Sequence, residues 1–62
     1  MKRNQLIRHL SEKGCILHRE GHNHSIYYNP IAKRTTAIPR HIEIDNKLCN
    51  KICLQLDVPK IK

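Results

Sequence analysis

The sequence predicts an α+β fold of the order α-β-β-β-α, with two helices packed on one face of a three-stranded antiparallel sheet. Three observations indicate this fold. Apolar residues recur at helical spacing near the N-terminus, three short β-prone runs separated by turn residues follow, and a second helical stripe precedes Pro59. Because a three-stranded sheet needs one covered apolar face to be stable, both helices are expected on the same face.

The first helix is expected at about residues 4–13. Asn4 is a suitable N-cap residue, and Gly14 suits the left-handed conformation that ends many helices. The apolar residues of this segment share one helical face: Leu6, Ile7 and Leu10. The charged residues around them are expected to face water: Arg3, Arg8, Glu12 and Lys13.

The three strands are expected at Cys15–Arg19, Ser25–Tyr28 and Thr35–Ile38. The region of Gly21 separates the first two strands, and the Asn29-Pro30 turn separates the last two. Their lengths and the short connections predict consecutive antiparallel pairing in a meander.

The second helix is expected after Pro39, with Asp45 or Asn46 as its N-cap residue and Pro59 closing it. Its apolar stripe recurs at spacings of three to five residues: Ile44, Leu48, Cys49, Ile52, Cys53 and Leu56. The complete order of elements is also that of double-stranded RNA-binding domains, although fold by itself does not establish function.

Composition limits the class of protein. The 62 residues predict a single domain, residues 1–62, and 39% hydrophobic residues without Trp or Phe predict a small core. A formal net charge of +7 favours a nucleic acid partner ahead of an anionic membrane. Three cysteines cannot form an even disulfide framework, and no apolar run approaches the roughly 20 residues of a membrane span. We therefore expect a reduced, cytoplasmic protein with no membrane partner.

The informative cluster comprises His18, His22 and His24, which lie within seven residues. One interpretation is a zinc site completed by Cys15, which the irregular ligand spacing disfavours. A second is a catalytic base, because imidazole exchanges a proton near neutral pH without a metal. The third is an exposed polar loop, and the cluster alone leaves the last two open.

Residues 21–30 read GHNHSIYYNP and residues 36–44 read TAIPRHIEI. This order of motifs resembles the HicA toxins, small messenger-RNA interferases of bacterial toxin-antitoxin pairs. The resemblance extends from Leu6 to Val58, with Leu48 and Ile52 in the closing helix. The sequence departs from the usual pattern where His22 and Asn23 replace Gly-Ser and where the turn after Pro30 lacks Asp-Gly.

The resemblance implies a metal-independent endoribonuclease that cuts mRNA without a cofactor, and it places the catalytic histidine at His24. Cations suited to RNA phosphates would surround it, and the candidate RNA contacts are Arg40, Arg19, Arg34, His22 and Lys33. His41 would either fix the start of the second helix or contact RNA. One of Tyr27 and Tyr28 would pack in the core while the other stacks on a base.

A toxin of this family implies a HicB-like antitoxin that binds it and controls it. The rival interpretation is a non-catalytic RNA-binding module that uses the double-stranded RNA-binding fold only to hold backbone phosphates. Both interpretations expect RNA as the ligand, and they differ in whether the RNA is cut.

Overall fold

The computed structural model describes residues 1–61 and confirms the predicted fold. Its elements are α1 (Arg3–Glu12), β1 (Ile16–Glu20), β2 (His24–Asn29), β3 (Arg34–Pro39) and α2 (Asn46–Gln55). The strands form one antiparallel sheet in the order β1-β2-β3. A β-bulge between Leu17 and Arg19 interrupts the register of β1 with β2.

Helix α1 begins one residue before the predicted start, and its N-cap residue is Lys2, so the prediction of Asn4 as the cap is wrong. The helix begins earlier because the residues at its start bond to a segment about 40 residues further along the chain. The backbone N–H of Arg3 donates to the Ile42 carbonyl at 2.8 Å, and that of Ile44 donates to the Met1 carbonyl at 2.8 Å. These bonds order the first residues, and the helix starts directly behind them.

The end of α1 follows the sequence prediction. Gly14 has a φ of +90°, in the left-handed region that glycine adopts without steric cost. The N–H groups of Gly14 and Cys15 donate to the carbonyls of Ser11 and Leu10 at 3.0 and 2.9 Å. This pattern is a Schellman motif, which satisfies the last carbonyls of the helix.

Helix α2 has Asp45 at its N-cap position, one of the two predicted residues. It ends at Gln55, ahead of Pro59, because Asp57 adopts a φ of +58° and the Val58 N–H donates to the Cys53 carbonyl at 3.0 Å. A left-handed residue therefore ends the helix before proline does.

Both helices cover one face of the sheet. The buried apolar cluster joins residues of α1, α2 and β3 with their flanking segments: Leu6, Leu10, Cys15, Ile38, Ile44, Cys49, Ile52, Cys53 and Leu56. Leu48, predicted within this stripe, is 36% exposed, so that assignment is wrong. Burial raises the pKa of all three cysteine thiols, which are free. Cys49 and Cys53 are small core residues, as predicted, and Cys15 joins them in the core.

The two tyrosines of β2 divide between the faces of the sheet as predicted. Tyr27 is partly buried against the core, and Tyr28 lies on the open face, where its ring centroid is 5.9 Å from that of His18. The helices of residues 1–61 are too short and too polar to cross a membrane.

Candidate active site

The turn between β1 and β2 is a tight connection formed by His22 and Asn23. The backbone N–H of Gly21 donates to the His24 carbonyl at 2.7 Å and closes the hairpin. A Cβ atom on Gly21 would lie 3.0 Å from that same carbonyl oxygen, so a larger residue would push the two strands apart. The glycine thus allows the close approach that fixes His24 at the first position of β2.

Arg40 follows β3 and reaches across to this turn. Its guanidinium donates to the carbonyls of Gly21 and His22 at 2.6 and 3.0 Å, and more weakly to that of His24 at 3.4 Å. It also pairs with the Glu20 carboxylate at 2.9 Å. One cation therefore binds the carbonyls of the turn and holds the backbone next to His24.

A second arginine binds the ends of β2 and β3 that lie next to this turn. Arg3 of α1 donates from Nε to the Pro39 carbonyl and from Nη2 to Ser25 Oγ, each at 2.9 Å. Ser25 is 2% exposed and donates in turn to Glu20 Oε1 at 2.6 Å. We call the four linked side chains the cleft-end network: Arg3, Ser25, Glu20 and Arg40.

The contacts of Arg3 were not predicted from the sequence. Arg3 was expected to face water on α1, but it is half-buried and hydrogen-bonded across the fold. Its partners lie 22 and 36 residues away along the chain. Helical periodicity reports only local neighbours, so the sequence contained no signal for this contact.

Hydrogen bonds stabilise the ionised carboxylate of Glu20 although this residue is exposed. The hydrogen bond from Ser25 and then that from Arg40 hold its pKa below the ordinary value of 4.5, with smaller help from the charges of Arg40 and Arg3. Hydrogen bonds to a carboxylate favour its ionised form. Glu20 therefore stays charged and continues to hold Arg40 against the turn at neutral pH.

An open cleft of about 420 Å³ lies beside the turn; we call it the histidine cleft. Its walls are formed by the β1–β2 turn and by the segment that follows β3: His22, Asn23, His24, Pro39, Arg40 and His41. Three histidines and one arginine thus line a cleft at one end of the sheet, where β2 begins and β3 ends. Of the two roles considered for His41, its place in this cleft favours a contact with ligand.

The other predicted RNA contacts lie elsewhere. Arg19 is exposed on the open face of the sheet, paired with Ile26. Lys33 and Arg34 lie at the far end of the β2–β3 hairpin, about 17 Å from His24 at a rise of roughly 3.4 Å per residue. A ligand in the histidine cleft would meet them only if it extended along the sheet.

The zinc interpretation of the cluster fails on geometry. Cys15 is buried in the core at 3% exposure, whereas His18 is exposed on the open face beside Tyr28. Among the described residues, no group of three histidine, cysteine or acidic side chains is arranged to hold a metal ion.

The chain matches the model of a known protein family. The family model of the HicA toxin of bacterial toxin-antitoxin systems matches residues 3–58. This chain belongs to the HicA toxin family. Searches among curated proteins and among solved structures found no match.

This membership confirms the resemblance to HicA toxins that the motifs at residues 21–30 and 36–44 indicated. It assigns the chain to the toxin side of a toxin-antitoxin pair and implies an antitoxin partner. The matched span runs from the first residue of α1 to Val58, so it includes the whole sheet, both helices and every residue of the histidine cleft.

Proposed function

We propose that this HicA toxin is an endoribonuclease that cuts mRNA at the histidine cleft, with His24 as the general base. The observation that carries the proposal is the cleft itself, where an exposed His24 lies with His22, His41 and Arg40. The +7 charge of the chain supports a polyanionic substrate.

RNA supplies its own nucleophile in the 2′-hydroxyl group, so the protein needs a base, a proton donor and charge stabilisation. His24 takes the 2′-hydroxyl proton as that oxygen attacks the adjacent phosphorus. The bond from phosphorus to the 5′-oxygen breaks, and a protonated His41 or His22 supplies a proton to this leaving oxygen. The products are a 2′,3′-cyclic phosphate and a 5′-hydroxyl end, and no metal ion takes part.

Arg40 has two tasks in this proposal. Its contacts with the turn carbonyls hold the backbone of His24, which keeps the base in position before RNA binds. Within residues 1–61 its Nε makes no hydrogen bond, and this donor is available for a phosphate oxygen. A guanidinium that is already ordered loses little conformational entropy when it binds.

Cleavage of single-stranded RNA by the purified protein in EDTA tests the proposal. We expect cleavage to survive chelation and His24→Ala to lower its rate by about 10²- to 10⁴-fold without unfolding the protein. His18→Ala is the matched control, because it removes an exposed imidazole outside the cleft. Its rate should stay within a few-fold of the wild type.

Three outcomes would contradict the proposal. Loss of cleavage in EDTA would indicate a metal-dependent nuclease. Bound but intact RNA would support the non-catalytic RNA-binding module. A His24→Ala protein that cuts at nearly the wild-type rate would exclude His24 as the general base. His22 and His41 would then be the next candidates.

The antitoxin partner is proposed to be an acidic HicB-like protein that covers the histidine cleft. The positive charge of the toxin would steer it, and binding only to the folded toxin would stabilise this small domain. Co-expression of the tagged toxin with the product of the adjacent reading frame tests this. We expect co-purification with suppressed RNase activity, and a bound neighbour that leaves cleavage undiminished would contradict it.

A further inference from the structure

A second cleft of about 250 Å³ adjoins the histidine cleft, and Arg40 lines both. We call it the basic cleft; its lining residues are Lys2, Arg3, Asn4, Arg40 and Ile42. We propose that the basic cleft is a phosphate subsite that binds the RNA backbone next to the scissile linkage. This inference rests on the proposed function and extends it to substrate binding.

The charge at the basic cleft favours an anion. Lys2, Arg3 and Arg40 line it, and the carboxylates paired with these lining cations are Glu43 and Glu20. Glu43 pairs with Lys2 at 3.0 Å and with the N-terminal ammonium at 3.4 Å. Three cationic side chains against two carboxylates leave an excess of positive charge around the cleft.

The arginines of the basic cleft are ordered and still hold spare donors. Arg3 uses Nε and one Nη2 hydrogen for Pro39 and Ser25, and in the described chain its Nη1 makes no hydrogen bond. A guanidinium has five N–H donors, so several remain for phosphate oxygens. Because the internal bonds already fix the side chain, a phosphate would bind without the usual cost of ordering it.

The backbone walls of the basic cleft are also fixed. Lys2 and Glu43 form an antiparallel bridge, and the Arg3 N–H donates to the Ile42 carbonyl at 2.8 Å. Ile42 is 76% exposed beside these cations. An apolar side chain next to phosphate-binding groups suits a nucleotide, whose ribose or base would pack on it.

The two clefts adjoin each other, and this determines which phosphate of the RNA the basic cleft would bind. Arg40 lies in both clefts, and Pro39 lines the histidine cleft while its carbonyl accepts from Arg3. An RNA strand with its reacting linkage at His24 would therefore enter the basic cleft with a neighbouring linkage.

Salt-dependent binding tests this without requiring cleavage. A fluorescein-labelled oligouridine strand is titrated with His24→Ala protein, alone and combined with Arg3→Gln, Arg3→Lys or Arg8→Gln. Arg3→Gln should reduce the log-log salt slope by about 0.7 and weaken binding about fivefold at 0.1 M salt, relative to a 1 M reference. Arg8→Gln is the matched control, an exposed arginine of the same helix that lines neither cleft.

Arg3→Lys separates a phosphate contact from a merely structural role. It keeps the positive charge but loses the paired bonds to Ser25 and Pro39, so the subsite predicts that it retains most of the salt slope. If Arg3→Lys loses as much slope as Arg3→Gln, or if Arg3→Gln changes the slope no more than Arg8→Gln, the subsite is wrong.

The outcomes also separate this inference from the proposed nuclease. Wild-type cleavage with an unchanged slope in Arg3→Gln would overturn the subsite and leave the nuclease standing. A reduced slope with no cleavage by the wild type would support the subsite as an RNA-binding site and overturn the nuclease. Absence of any RNA binding by His24→Ala protein would overturn the subsite.

Discussion

The two ends of β2 differ in the groups that satisfy the hydrogen bonds of a buried polar side chain. Each end buries a polar side chain beneath the helices, Ser25 at 2% exposure and Asn29 at 4%. Asn29 is satisfied by neutral backbone groups: its Nδ2 donates to the Leu56 carbonyl at 2.7 Å, and its Oδ1 accepts from Ile31 and Ala32. Ser25 is satisfied by two charged side chains, Arg3 and Glu20.

The difference separates a neutral end of β2 from a charged one. Backbone groups satisfy Asn29 and add no charge to the surface. Ser25 bonds to Arg3 of α1 and to Glu20, and Glu20 in turn pairs with Arg40 after β3, so both arginines of this network lie at the basic cleft. Substitutions at the Asn29 end should therefore change stability, whereas those at the Ser25 end should change chemistry.

Asn29→Ala should produce the largest loss of stability, about 2–3 kcal/mol in the free energy of unfolding. The Leu56 carbonyl would lose its partner in the protein interior, and an unsatisfied buried group costs roughly 1–3 kcal/mol. Denaturant unfolding followed by circular dichroism measures this, with the exposed Asn50→Ala as control. Equal losses in the two variants, or slower cleavage by folded Asn29→Ala protein, would contradict the division between the ends.

Ser25→Ala should cost about 1 kcal/mol of stability, a typical net value for a side-chain hydrogen bond. It should slow RNA cleavage by folded protein several-fold, because Arg3 and Glu20 lose the hydroxyl that joins them beside His24. Ser11→Ala, exposed on α1, is the control. A Ser25→Ala protein that cuts as fast as the control would show that the cleft-end network does not position the base.

Lys33→Gly should raise stability by up to about 1 kcal/mol. Lys33 has a φ of +58° in the turn after Asn29, and a left-handed conformation costs a non-glycine residue roughly 1–2 kcal/mol, part of which glycine returns as chain entropy. Thermal unfolding measures the gain, and Asp57→Gly, at the same φ of +58°, should behave alike. The same variant tests Lys33 as an RNA contact, since an unchanged salt slope would exclude it.

The sequence predicted the order of elements because that order depends on local patterns. Gly14 marked the end of α1, and the spacing of Cys49, Ile52 and Cys53 marked the buried face of α2. The family resemblance indicated His22, His24 and Arg40, which line the histidine cleft, while their roles stay predictions. The support from Arg3 was not predicted, because its contacts join residues far apart in the chain.

The smallest effect on stability is expected when acid protonates Glu20. Hydrogen bonds from Ser25 and Arg40 lower its pKa in the folded protein, so its stabilisation is complete above the ordinary value of 4.5 and is lost as the pH falls through the folded value. Exposed ion pairs contribute little to stability, so the loss should be modest. Glu20→Gln should flatten the decrease in melting temperature with falling pH.

Glu43→Gln is the matched control, because bonds from Lys2 and from the N-terminal ammonium lower the pKa of Glu43 in the same direction. Both variants should flatten the acid decrease in melting temperature. Only Glu20→Gln should also slow RNA cleavage at neutral pH, because Glu20 holds Arg40 against the turn that carries His24. Equal cleavage rates in the two variants would mean that the Arg40 contacts with the turn carbonyls hold His24 without the carboxylate.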